Sequence, residues 1–113
     1  MQRDSYYGTE IDGKWWRRYR GEGFFARGNG EFWADEEGVH FRKTLNRVPL
    51  SIPWDEISSI RLGGWHCGRP GYGLPLLKVD FHRDGRTLTA GFRLLEREIE
   101  RLASDLRERL SRR

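Results

Sequence analysis

The stretch that most constrains the fold runs from Gly30 to Leu62, GEFWADEEGVHFRKTLNRVPLSIPWDEISSIRL. Side chains alternate across a β-strand, so a half-buried strand carries apolar residues at every second position. Phe32 and Ala34 share one face and Trp33 takes the other. Asp35-Glu36-Glu37-Gly38 then offers a tight turn, and Val39, Phe41 and Lys43 alternate against His40 and Arg42. A loop over 44–49 ends in Pro49, a residue that a central strand excludes. Leu50, Ile52 and Trp54 alternate with Ser51 and Pro53, and Asp55-Glu56 leads into a fourth strand with Ile60 and Leu62 in phase. Short strands joined by short turns commit this region to an antiparallel sheet.

The same period continues downstream. Leu77, Val79 and Phe81 oppose Lys78, Asp80 and His82, Asp84-Gly85 is a two-residue hairpin signal, and Leu88, Ala90 and Phe92 return in phase. From Leu94 the period becomes helical: Leu95, Ile99, Leu102, Leu106 and Leu110 form one apolar stripe. Glu96, Glu98 and Glu100 fall early and Arg107, Arg109, Arg112 and Arg113 late, as the helix dipole favours. Arg93 is a poor N-cap, so the spacing predicts a helix over about 94–111 with an undefined start. Between the two regions, Gly63 to Pro75 (GGWHCGRPGYGLP) reads as the longest loop.

Upstream the pattern is weaker. Residues 1–13 read as a polar lead-in that frays or pairs at a sheet edge through Ile11. KWWRRYR, Lys14 to Arg20, is an edge strand or one turn of helix. Gly21-Glu22-Gly23 interrupts it, a strand starts over 24–27, and Gly28-Asn29-Gly30 bends or bulges. The expected fold is mainly β with one C-terminal α-helix. Six or seven antiparallel strands form a curled sheet or small barrel capped by the helix, in a single domain over 14–113.

Composition supports one modest core: 113 residues, 36% hydrophobic, with five Trp, four Tyr and six Phe supplying large buried areas. The net charge of +4 is only a weak pointer to an anionic partner. Cys67 is the single cysteine, which excludes an internal disulfide and a multi-cysteine zinc site. No apolar run approaches the roughly 18 residues of a membrane span, and the N-terminus lacks a signal-peptide core. A soluble, cytoplasmic protein is the expectation.

Three segments carry a family resemblance. GEFWADEEGVHFRK, LSIPWDEISSIRL and LLKVDFHRDGRTLTAGF, the last leading into the helix, are similar to the strands, turns and closing helix of the pleckstrin-homology-like superfamily, including GRAM-type modules. They span about Phe24 to Leu110, and GGWHCGRPGYGLPLLKV further resembles a group of small bacterial proteins of unassigned role. The resemblance implies a curled sheet closed by a helix and a binding role without catalysis. In phosphoinositide-binding members, Lys and Arg near the first two strands grip phosphates.

Against that background the candidate binding residues are Arg17, Arg18, Arg20 and Arg27, with Trp65, His66 and Arg69 in the Gly/Pro loop. Arginine forks suit phosphate, but the glycine runs break the basic-x-basic spacing, and a solvated arginine-rich strand face is the plainer reading. His66 beside Cys67 suggests a nucleophile or half a metal site. Neighbours on an extended backbone point apart, so the expectation is a loop held over the sheet by Trp65 and Tyr72, with no catalytic residue and no metal. His40 and His82 would join His66 only if the fold gathers them. Asp35, Glu36, Glu37, Asp55 and Glu56 read as turn residues rather than an acid–base dyad. Trp15, Trp16 and Tyr19 among arginines resemble a stacking patch for single-stranded nucleic acid, yet the charge is not concentrated enough to favour it. The expected function is therefore a non-enzymatic module, without cofactor, that binds a protein partner or itself through a sheet edge or a loop. An anionic membrane surface is the alternative.

Overall fold

The computed structural model describes residues 3–21, 24, 27–44 and 48–112. Its strands are β1 (Asp4–Ile11), β2 (Lys14–Arg18), β3 (Gly28–Ala34), β4 (Gly38–Lys43), β5 (Leu50–Pro53), β6 (Ile57–Gly63), β7 (Trp65–His66), β8 (Arg69–Pro70), β9 (Leu76–Arg83) and β10 (Arg86–Arg93); a 3₁₀ turn (Trp54–Glu56) precedes β6 and the helix α1 (Ile99–Ser111) ends the fold. The main sheet runs β5-β4-β3-β1-β10-β9-β6, with β2 also paired to β1, and β7 and β8 form a separate two-stranded ribbon. All of these pairings are antiparallel. Eight strands thus replace the expected six or seven, and the sheet is open rather than a closed barrel.

The largest departure from the sequence reading concerns residues 1–13. Asp4–Ile11 is no lead-in; it is the strand that joins the two halves of the sheet, with β10 on one side and β3 and β2 on the other. Its pattern is hidden because a bulge breaks the period. Tyr6 pairs with Phe92 and Gly8 with Gly91, so Tyr7 is the extra residue. The bulge returns Thr9 to the face of Tyr6, and Ile11 joins them in the core. The Phe24 carbonyl can only accept, so the Tyr6 hydroxyl donates there (3.1 Å) and accepts from the Thr9 hydroxyl (2.6 Å). Around it, the Tyr6 ring meets Phe92 at 5.6 Å, Phe41 at 6.0 Å and Phe24 at 6.4 Å.

The two hairpins legible in the sequence form as expected. Asp35 accepts the backbone N–H groups of Glu37 and Gly38, closing the turn between β3 and β4. Asp84 and Gly85 both take positive φ (55° and 72°), the geometry of a two-residue turn between β9 and β10. Val39, Phe41, Ile52, Val79, Phe81, Leu88 and Phe92 then fill one core with Ile99, Ala103 and Leu106 from α1. The expected strand start over 24–27 includes residues 25 and 26, and the loop over 44–49 includes 45–47; these lie outside the described residues.

The helix begins at Ile99, five residues later than about 94. Asp4 ties the preceding segment to β3 by accepting the Leu95 N–H (2.9 Å) and the Phe32 N–H (3.1 Å). Leu95 is consequently exposed and leaves the apolar stripe. α1 lies against β6, where Arg107 donates to the Ile60 carbonyl at 2.7 Å. At the other end of the sheet, Arg83 donates to the Ser51 carbonyl of β5 (2.9 Å) and pairs with Glu56 (2.6 Å). Among the described residues, no helix is long and apolar enough to cross a membrane.

On the face away from this core, Asp80 of β9 ties three strands together. It accepts from Ser59 (2.5 Å), Thr89 (2.5 Å) and Arg61 (2.8 and 3.1 Å). Burial alone would raise its carboxyl pKa, but these donors outweigh burial and hold it down to about 2. A depressed folded-state pKa adds stability above the unfolded value and loses it as pH falls through the folded one. Asp80→Asn should therefore cost about 1–2 kcal/mol at neutral pH, a difference that urea titrations should show closing between about pH 4 and pH 2.

Candidate functional site

The sheet's second face is built around a notch. Gly8 of β1 and Gly91 of β10 face each other across the bulge, so neither strand places a Cβ there. The side chains of His66, over Gly91, and Cys67, over Gly8, fill that space. A Cβ at Gly91 would lie 2.2 Å from the His66 ring, and one at Gly8 would lie 3.2 Å from Cys67 Sγ. His66 is fully buried, and its Nε2 donates to the Gly8 carbonyl at 3.0 Å.

The ribbon reaches this notch through its turn. Trp65 pairs with Pro70 and His66 with Arg69, leaving Cys67 and Gly68 as the two turn residues. Both have positive φ (53° and 77°), the backbone of a tight hairpin turn that usually carries Asn or Gly. The left-handed backbone at Cys67 breaks the alternation of an extended chain. His66 and Cys67 therefore turn their side chains to the same side, contrary to the expectation that adjacent residues point apart. Glu10 completes the group: its Oε2 accepts the Cys67 N–H at 2.9 Å and lies 3.6 Å from His66 Nδ1. His40 and His82 do not join it; His40 instead binds Asp35 (2.8 Å) and Ser51 (2.7 Å).

Three of the sequence-predicted arginines converge beside this cluster. Arg18 and Arg27 donate to the Cys67 carbonyl at 3.1 and 2.7 Å, and Arg27 also donates to the Tyr7 carbonyl at 2.9 Å. Arg69 stacks over the Tyr7 ring at 4.7 Å, while the Tyr7 hydroxyl donates to the Pro70 carbonyl at 3.2 Å. Burial, then the nearby Arg18 and Arg69 charges, lower the Arg27 pKa. Arg17 pairs with Asp12 instead (3.7 Å), and Arg20 lies exposed outside the group.

An aromatic shelf stands above. Trp15 rests on Gly68 and touches Trp16 (centroids 5.8 Å) and Trp65 (6.3 Å). The three indoles are 49%, 62% and 49% exposed, in the order Trp15, Trp16, Trp65. Tyr72 is exposed too, at 71%, so the loop is not held down by Trp65 and Tyr72. It is held by His66, Cys67 and Tyr7, because the glycine notch accepts an imidazole and nothing comparable receives the larger rings.

The cluster's chemistry is that of a closed interior. Burial, reinforced by the Glu10 charge, pushes the Cys67 thiol up to about 11 against the opposing pull of Arg18, Arg27 and Lys78. Burial likewise lowers the His66 pKa, although Glu10 and the Gly8 hydrogen bond oppose it. A protonated thiol beside a neutral imidazole is not an activated nucleophile. Glu10 was missed by sequence reasoning, since the bulge concealed its strand, and only the pairing of Gly8 with Gly91 reveals the notch.

Compared with protein-family models, with curated proteins and with solved structures, the chain matches none of them.

Gly91→Ala should expel the His66 ring from its notch. We expect a loss of about 1–3 kcal/mol, the range for overpacking a filled interior. Gly64→Ala, which meets nothing within 4 Å, should change stability by less than about 0.5 kcal/mol. Urea denaturation of both variants checks the contrast.

Proposed function

We propose that the chain is a non-enzymatic binding module of pleckstrin-homology-like layout that docks a protein partner on the Trp15–Trp16–Trp65 shelf. The curled antiparallel sheet with its C-terminal helix supports that layout. One observation carries the choice of surface: Trp15 touches both Trp16 and Trp65, and all three indoles remain about half exposed or more. A contiguous apolar patch of this kind is what interfaces are made of, and Trp with Arg dominates their energetics.

Other parts of the surface fit docking less well. Arg83 occupies a backbone carbonyl of β5, and α1 lies along β6, so both ends of the main sheet are partly covered. Arg18 and Arg27 already satisfy backbone carbonyls, and a phosphate would have to displace those bonds. This weakens the anionic-membrane alternative without touching the shelf. Lys14, Arg17 and Arg69 lie exposed along the same strands and turn, so the fitting partner presents apolar side chains bordered by carboxylates.

Peptide display against the full chain tests the reading. The wild type should enrich peptides combining aromatic or aliphatic residues with Asp or Glu. Trp15→Ser/Trp16→Ser/Trp65→Ser should bind them at least tenfold more weakly, measured by titration at equal salt. Equal binding by wild type and variant would remove the shelf from the account. A concentration-dependent dimer in sedimentation, lost in the same variant, would identify the partner as a second copy. Pelleting with anionic vesicles that survives in the variant would favour the membrane reading instead.

A further inference from the structure

The buried cluster beneath the shelf holds an electrostatic conflict. The Gly8 carbonyl can only accept, so His66 presents Nε2–H to it. In the neutral ring that burial favours, Nδ1 then carries a lone pair, and Nδ1 has no hydrogen-bond partner. What it faces, at 3.6 Å, is Glu10 Oε2. Two acceptors confront each other in a site where the two side chains are 0% and 8% exposed. Leaving such groups unmatched in the interior is costly, and a cation between them resolves the conflict.

The third member supplies what a metal would need. Cys67 Sγ, a His66 ring nitrogen and a Glu10 oxygen all lie within 4.8 Å of one another. A tetrahedral zinc ion with bonds of about 2.0–2.3 Å spans donors roughly 3.3–3.7 Å apart. The Glu10–His66 separation already falls in that range, and the sulfur needs to close by about 1 Å or less. We propose that Glu10, His66 and Cys67 form a buried three-donor site for a zinc-class divalent cation that fastens the β7–β8 ribbon to the sheet.

The donor set and its supports fit this class. Imidazole, carboxylate and thiolate together suit a borderline ion such as Zn²⁺ rather than Mg²⁺ or Ca²⁺, which prefer oxygen. A ligating histidine commonly donates its other ring N–H to a backbone carbonyl, the bond that His66 makes to Gly8. Glu10 is oriented in turn by the Cys67 N–H. The charged groups around the site are Lys78 and Arg61 from the sheet, with Arg18 and Arg27 at the Cys67 carbonyl. A dication held by one carboxylate and one thiolate is net neutral, one unit more positive than the carboxylate and thiol alone, so these cations oppose binding by that single unit of charge. Binding displaces the thiol proton: the metal–sulfur bond replaces the S–H bond and one proton leaves for solvent.

Co²⁺ and Zn²⁺ alone, added to the full chain, test the site. Because Cys67 is the single cysteine, a thiolate-to-cobalt charge-transfer band can arise from no other residue. We expect that band to saturate at one Co²⁺ per chain, Zn²⁺ to abolish it, and calorimetry in two buffers to record about one proton released per ion. Cys67→Ser should lose the band and weaken Zn²⁺ binding more than about a hundredfold, beyond the roughly 10–100-fold that the loss of an outer-shell partner costs. His82→Gln, on an exposed histidine, should change neither. Absence of the band in the wild type, which requires no variant to fold, overturns the proposal. So does equal Zn²⁺ affinity in wild type and Cys67→Ser.

Discussion

The packing of His66 onto Gly91, with its bond to the Gly8 carbonyl and Cys67 over Gly8, is the contact on which the arrangement of the outer face depends. With the bonds from Tyr7, Arg18, Arg27 and Glu10 it holds residues 64–71 on the sheet, while Trp65 and Tyr72 remain exposed. The notch exists because β1 carries a bulge at Tyr7 that brings two glycines opposite each other. That bulge also sets which side chains of β1 enter the main core and which turn outward. One irregular strand therefore organises both faces: Tyr6, Thr9 and Ile11 inward, Tyr7 and Glu10 outward beneath the ribbon.

Charge is arranged to hold the backbone in place on both faces of the sheet. Arg18 and Arg27 share the Cys67 carbonyl, Arg83 takes that of Ser51 and Arg107 that of Ile60. Charge-assisted bonds of this type exceed ordinary backbone hydrogen bonds in strength. The basic excess of the sequence is thus partly structural. What remains available for recognition is the apolar shelf bordered by Lys14, Arg17 and Arg69, with Trp15 resting on the turn that His66 and Cys67 fix to the sheet.

Much of the main sheet was legible because its strands obey a period of two. The 35–38 and 84–85 turns, the alternation of Leu77, Val79 and Phe81, and the change of period near the helix all correspond to observed elements. The errors share one physical origin, which is that local pattern carries no information on distant pairing. β1 was unreadable because a bulge shifts its phase, and the segment before the helix is tied through the Leu95 N–H to Asp4, far away in sequence. Arg18, Arg27 and Arg69 were legible as candidates and do gather, yet Arg17 and Arg20 do not. Glu10 could not be chosen from sequence, since its partners at 66 and 67 are reached only after the sheet has assembled. The pairing of His66 with Cys67 was dismissed on the geometry of an extended chain, which the left-handed backbone at Cys67 does not obey.

The central claim is that residues 64–71 form a clamped ribbon rather than a mobile loop. Hydrogen exchange at the Cys67 amide, which is donated to buried Glu10, tests it most directly. The account predicts protection of that amide comparable to the amides of β1 and β10. Exchange at the rate of an exposed loop would contradict the clamp and, with it, the fixed placement of the shelf.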